Sequence, residues 1–250
     1  MDSGAQIMHA LTLSVHWWTP DANAVAPLAA TSAPWHGRLP MHECARLDGM
    51  QHVGRACASF RAQWLTRRAL SAVRPGTEPG AWLIDRLPSG KPVIRNADGA
   101  APLFCNWSHT DRLVACVVTD AGDTGIDVEC PDAQRDWNRF LERFFTPAER
   151  ERLTGETGGT TALVRAWTLK EAAVKARGGG MLRDAQTFSV QPKKPGEWFT
   201  VSDTLEAHTP IRLAELPLPG WIGAAAVVSD SSVPLRIECR RWSDAELLSV

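Results

Sequence analysis

The stretch Gly125-Ile126-Asp127-Val128-Glu129 alternates apolar and acidic residues, so as a strand it puts the carboxylates of Asp127 and Glu129 on one face. Two like charges that close repel each other, and the arrangement holds only where water or a cation compensates them. Either the pair faces solvent or it awaits a metal. A third acid, Glu171, precedes Lys175 by four residues, so both share a helix face, with Trp167 one turn earlier on the same side. Alone, such a pair is an ordinary surface ion pair worth about 0.3–0.5 kcal/mol. Taken together, Asp127, Glu129 and Glu171 form an all-oxygen set suited to Mg²⁺, which keeps several waters and shares its site with phosphate oxygens. With a lysine one turn away, the set is coherent for moving a phosphate-bearing group.

Two further clusters carry polar groups. Asn106-Trp107-Ser108-His109 offers an amide, a hydroxyl and an imidazole at the end of an apolar strand, although a turn histidine needs no function. Ser89-Gly90-Lys91-Pro92 places Lys91 on a turn, either within reach of a phosphate or simply solvated. No Walker loop and no G-x-G-x-x-G after a strand is present, and no H-E-x-x-H.

The elements that must position these residues are legible in outline. Residues 10–18 spell an opening strand, followed by a Pro/Ala-rich linker through about residue 40. Residues 51–73 have apolar side chains at helical spacing and stop before Arg74-Pro75. Two short strands flank the turn at Ser89-Gly90, residues 101–109 and 112–120 form a hairpin, and 125–130 is the next strand. Residues 133–145 form an amphipathic helix. Thr146, Pro147 and Glu149 then make the cap, first position and capping-box acid of another helix. A long helix over 160–176 ends at Gly178-Gly179-Gly180, and residues 188–192, 198–203, 211–216 and 221–230 are strand-like with Pro/Gly turns. Each half runs through a long helix to a hydrophobic strand ending in Asp, at 112–120 and 221–230, which suggests a duplicated α+β unit with its boundary near residue 125. A chance match between two Ala/Val-rich strands is the alternative.

Composition narrows the class. The formal charge of −1 gives no global field toward nucleic acid or an anionic membrane, and 44% hydrophobic with 22% charged residues is globular. Cys44, Cys57, Cys105, Cys116, Cys130 and Cys239 form no C-x-x-C pair and no zinc spacing, which fits small buried thiols in a reducing compartment. The first residues lack a basic signal-peptide region, and no apolar run approaches the roughly 18 residues of a membrane span. The expectation is a cytoplasmic protein.

In order, the segments GKP, NWSH, GIDVE, FFTPAE and WTLKEAAVKARGGGM resemble the 4′-phosphopantetheinyl transferase superfamily, and more specifically its surfactin-type, double-length branch. The resemblance runs from about residue 55 to residue 182. It implies an α+β fold of two similar halves packed with pseudo-twofold symmetry, residues 1–125 and 126–250, the second ending in a short tail. The active site would lie in the groove between them. It implies transfer of the phosphopantetheine arm of coenzyme A to a serine of an acyl or peptidyl carrier protein, releasing 3′,5′-ADP, by a monomer. Asp127, Glu129 and Glu171 match the family's Mg²⁺ ligands, some members using only the acids that fall on Asp127 and Glu171, with Asp127, Glu171 and Lys175 as the catalytic set. Lys175 would neutralise or protonate the departing phosphate. The base would be Glu171, directly or through a metal-bound water.

By the same resemblance, coenzyme A contacts fall on Arg55, Lys91, Asn106, Ser108, His109, Lys170 and Lys175, with Arg55 near the 3′-phosphate and Lys170 facing either phosphate or a carboxylate. Two positions depart from the family pattern: Trp107 stands where a smaller aliphatic is usual, and Thr110 where Ser, Gly or Gln is common. Arg135, Arg139 and Arg143, at i, i+4 and i+8, would give a basic helix face either for an acidic carrier or for solvent. Two rivals remain, a Mg²⁺-dependent phosphohydrolase using the same acids and a non-catalytic coenzyme A or carrier-binding module.

Overall fold

The computed structural model describes residues 10–20, 34–95, 101–132, 135–155, 159–202 and 209–248; most of the expected linker, residues 21–33, lies outside them. Strand β5 (Val114–Thr119) is buried at every position, which is what a strand covered on both faces requires. On one face its Val114, Cys116 and Val118 pack with helix α2 (Val53–Val73); on the other, Ala115 and Val117 join a second apolar layer. β5 is antiparallel to β1 (Leu11–Trp18) on one side and to β4 (Phe104–His109) on the other.

The second sheet repeats that arrangement. Its strand β10 (Ile222–Val228) is antiparallel to β6 (Thr124–Glu129) and to β9 (Ile211–Glu215), and the hairpin of β7 (Phe188–Lys194) and β8 (Glu197–Ser202) extends the sheet beyond β9. A long helix separates the first and second strands of each unit, α2 in one and α5 (Gly159–Arg177) in the other. Leu13 and Val15 of β1, Ile126 and Val128 of β6, and Ala225 and Val227 of β10 share one buried cluster, so the two sheets meet face to face. The layers run α2, sheet, sheet, α5, and the chain is α+β.

Two segments depart from the sequence reading. Residues 235–248, grouped with the C-terminal half as its tail, instead return to the N-terminal sheet: β11 (Leu235–Trp242) runs parallel to β1, and α7 (Asp244–Leu248) packs on α2. The second is a short helix, α1 (Met41–Asp48), lying between the linker and α2. Strands β2 (Ile84–Arg86) and β3 (Pro92–Ile94) form the expected small hairpin around Ser89-Gly90. The helices α3 (Trp137–Phe144) and α4 (Pro147–Gly155) follow β6, and α6 (Met181–Asp184) follows the glycine stop. The α4 start carries its capping box: the Thr146 N–H donates to Glu149 Oε2 at 3.0 Å, and the Glu149 N–H to Thr146 Oγ1 at 3.3 Å. Cys44, Cys57, Cys105 and Cys116 are buried; Cys130 and Cys239 are not.

Candidate active site

Gly125 sets how close α5 can come to β6. A Cβ there would stand 2.2 Å from the carbonyl oxygen of Ala172 and 2.5 Å from the nitrogen of Ala176, so only glycine lets α5 lie directly on β6. Ile126 and Val128 point away into the sheet interface, leaving Asp127 and Glu129 on the face that α5 covers. Gly125 was not singled out as a functional residue by its sequence. Its place one strand pitch before Asp127, beneath a helix rich in alanine, is the signal that could have found it.

Asp127 is 2% exposed. Its Oδ1 accepts from Lys175 Nζ at 2.7 Å and from Ser108 Oγ at 2.9 Å, whereas its buried Oδ2 has no hydrogen-bond donor. Lys175 Nζ also lies 3.3 Å from Glu171 Oε2 and donates to Ser108 Oγ at 3.3 Å. Burial and the charge of Asp127 raise the Glu171 carboxyl to about 7, with Lys175 opposing. For Lys175, burial acts to lower the ammonium, but Asp127 and Glu171 outweigh it and hold it at about 12. Desolvation, then Lys175, lowers the His109 imidazole, with Asp111 opposing. These groups line an open cleft of about 510 Å³ that also takes in Trp107, Glu129 and Arg135.

A second recess of about 240 Å³ adjoins it, sharing Trp107 and Lys175, and carries Arg86, Lys91, Asn106, Gly178 and Gly179. Lys91 spans the turn and the end of α5: its Nζ donates to the Ala176 carbonyl at 2.8 Å and pairs with Asp123 at 2.7 Å. Asn106 is buried at the edge where β4 meets β6, its Oδ1 accepting the Ile126 N–H at 3.3 Å.

Four expected residues have other surroundings. Lys170 is fully buried, away from both recesses, with Nζ donating at 2.5 Å to Glu149 Oε2 and at 2.5 Å to the Phe188 carbonyl. It ties α5 to the capped start of α4 and to β7. Glu129 Oε1 is taken by the Trp167 indole N–H at 3.0 Å and by Arg135. Arg135 precedes α3 rather than lying on it, its guanidinium 5.7, 5.4 and 5.2 Å from the ring centres of Trp137, Phe140 and Trp167. It therefore shares no helix face with Arg139 and Arg143, both of which are exposed. Arg55 stands exposed on the first turn of α2 and lines neither recess.

Among the described residues, no group of three or more His, Cys, Asp or Glu side chains could hold a metal ion. What the cleft does hold is a carboxylate pair, Asp127 with an orphaned buried oxygen and Glu171 beside it. That donor set fits Mg²⁺, which takes one or two carboxylates plus water and phosphate oxygens.

Comparison with known proteins places these residues in a family. The profile of the 4′-phosphopantetheinyl transferase superfamily matches residues 123–223, a span that includes Asp127, Glu171 and Lys175. The chain is 31% identical over 128 residues to the 4′-phosphopantetheinyl transferase HetI of Nostoc sp., covering 50% of this chain and 54% of that one. It is 30% identical over 134 residues to the 4′-phosphopantetheinyl transferase AcpT of Salmonella typhimurium, covering 53% of this chain and 67% of that one. A third relative, the L-aminoadipate-semialdehyde dehydrogenase-phosphopantetheinyl transferase of Eremothecium gossypii, is 32% identical over 155 residues, covering 58% and 55%. The chain belongs to the 4′-phosphopantetheinyl transferase superfamily. Its match spans about half the length of the Nostoc and Eremothecium relatives and two-thirds of the Salmonella one.

Proposed function

We propose that this protein transfers the 4′-phosphopantetheine group of coenzyme A to a serine of an apo acyl or peptidyl carrier protein, releasing 3′,5′-ADP. The observation that carries this reading is the Asp127–Lys175–Glu171 constellation, in which a buried carboxylate oxygen without a donor adjoins a second acid raised to about 7. Asp127 and Glu171 would hold Mg²⁺, which when bound neutralises charge on the pyrophosphate. Glu129, its Oε1 held by Trp167 and Arg135, fixes the edge of the cleft, and we take Asp127 and Glu171 as the pair that would hold the metal.

Lys175, kept protonated by its two carboxylates, faces the pyrophosphate as a cation. His109, on the same rim of the cleft, offers its imidazole to phosphate. The serine hydroxyl attacks the phosphorus that carries the pantetheine, Glu171 takes the hydroxyl proton, and the bond to the bridging oxygen breaks. Lys175 then hydrogen-bonds the negative oxygen left on 3′,5′-ADP. Lys91 and Arg86 supply cations for the nucleotide end in the adjoining recess. An acidic carrier would dock beside the cleft at Arg139 and Arg143. Both sheets and their shared face come from one chain, which supports action as a monomer. The two halves would be related by a pseudo-twofold axis, and the working compartment would be the cytoplasm. Among the described residues, no helix is long and apolar enough to cross a membrane.

The test is intact mass spectrometry of an apo carrier protein incubated with this protein, coenzyme A and Mg²⁺. A gain of one phosphopantetheine arm, abolished by EDTA and by Asp127→Ala, is the expected result. Coenzyme A breakdown with no carrier modified would replace transfer by hydrolysis, and tight coenzyme A binding with neither would leave a binding module.

A further inference from the structure

We propose that Trp107 is the platform on which the purine base of the donor stacks, making it the residue that sets how strongly this protein demands the nucleotide end of its substrate. The inference rests on the coenzyme A reading above and adds to it a role for a residue at which this chain departs from its family's pattern.

Three observations carry it. The first is position. Trp107 lines the cleft that holds Asp127 and Glu171, the adjoining Lys91 recess, and a third recess of about 540 Å³ bounded by Arg46, Arg67 and Arg86. It is the residue at which all three meet. Lys175 and Trp107 line both of the first two, so a ligand with its pyrophosphate against Lys175 enters the Lys91 recess past the indole.

The second is chemistry. The Lys91 recess is lined by three cations, Arg86, Lys91 and Lys175, by one aromatic ring, and by no carboxylate. A flat π surface among cations suits a nucleotide, with the base on the ring and phosphates on the charges. Gly178 and Gly179 add no side chain to that recess, and a Cβ at Gly178 would stand 2.7 Å from Lys91 Cδ, so its free width is left to the indole and the lysine.

The third is support. Trp107 is only half-buried, yet it packs on the core cluster beneath α2, and the Arg86 guanidinium lies 4.8 Å from its ring centre. A ring backed by the core and by a cation is ordered before any ligand arrives, so stacking on it costs little additional ordering.

The experiment compares two ligands in each of three proteins by calorimetry: adenosine 3′,5′-bisphosphate, and ribose 3′,5′-bisphosphate, which lacks the base. The wild type should bind the first more tightly by at least about fivefold, the low end of what one base–aromatic stack contributes. That ratio should collapse in Trp107→Leu and persist in Trp107→Phe. Because it is taken within each variant, partial loss of folded protein cancels. Transfer assays should agree, with Trp107→Leu raising KM for coenzyme A and leaving kcat in place. A Trp107→Leu protein that keeps the wild-type ratio, or that weakens both ligands equally, overturns the role of the indole. A wild type that binds neither ligand overturns the coenzyme A reading itself, and this inference with it.

Discussion

Asp127 has one oxygen committed to Lys175 and Ser108 and one committed to nothing, and this asymmetry separates the three acids that the sequence groups together. Glu171, raised to about 7, and the open Asp127 oxygen are available to a cation, whereas Glu129 is already engaged by an indole N–H and a guanidinium. Titration of Mn²⁺ followed by EPR should therefore give a graded result. Asp127→Asn and Glu171→Gln should each weaken binding by at least about tenfold, the scale on which a lost charge-assisted ligand is felt. Glu129→Gln should change it by less than about threefold, because Oε1 still accepts from Trp167. Equal losses in all three variants would restore Glu129 to the metal. The residues that the fold gathers in the candidate cleft were legible because carboxylates two apart on a strand, and an acid four residues before a lysine on a helix, are patterns that survive folding. What spacing left open was which acid already has a partner, since Arg135 and Trp167 reach Glu129 only through the tertiary fold.

At the scale of elements, α5 has two faces with different duties. Consecutive residues on a helix point about 100° apart, so Lys170 and Glu171, adjacent in sequence, cannot both face the same cleft. Lys170 goes into the core to meet Glu149, and Glu171 goes to Asp127. Lys170→Met should thus cost stability, about 3–5 kcal/mol for breaking a buried pair by removing one partner, read as a lower urea midpoint. The protein that remains folded should keep its KM for coenzyme A; a raised KM at unchanged stability would return Lys170 to the phosphate. The helix after β6 gives a second example. Counting i, i+4, i+8 from Arg135 assumed a helix that starts before Asp136, yet Asp136 is the cap, its side chain accepting from the Arg139 N–H, so Arg135 falls outside the face. Reversing charge at Arg139 and Arg143 together should raise KM for an acidic carrier by roughly tenfold at low salt, with KM for coenzyme A unchanged. A parallel rise in both constants would place these arginines outside the docking surface. The strand β11 escaped notice for a related reason. Leu235, Ile237 and Cys239 do alternate with Arg236, Glu238 and Arg240, but spacing does not show that the partner of this edge strand is β1.

At the scale of the whole molecule, that strand is what ties the last described segment to β1, and a titratable group sits in the joint. His16 of β1 is 6% exposed and accepts, through Nδ1, the indole N–H of Trp242 at 3.0 Å; Trp242 closes β11. Accepting that bond requires a neutral Nδ1. Burial, and then the nearby Arg240, depress the imidazole from 6.5 to about 4. An unfolded chain takes up a proton at His16 as the pH falls through about 6.5, but the folded chain does so only near 4, so protonation in this window favours the unfolded state. The contribution is fully present above 6.5, is lost progressively down to about 4, and changes no further below that. The size of the depression corresponds to about 3 kcal/mol. His16→Asn, which keeps an acceptor for the Trp242 N–H, should flatten that part of the stability curve, measured as urea midpoints between about pH 4 and pH 7.5. All other titratable groups are common to both proteins, so the difference between the two curves isolates the joint between β1 and β11. Parallel curves would mean that β11 stays docked on β1 whatever the charge on His16, and that the closure rests on its ladder alone.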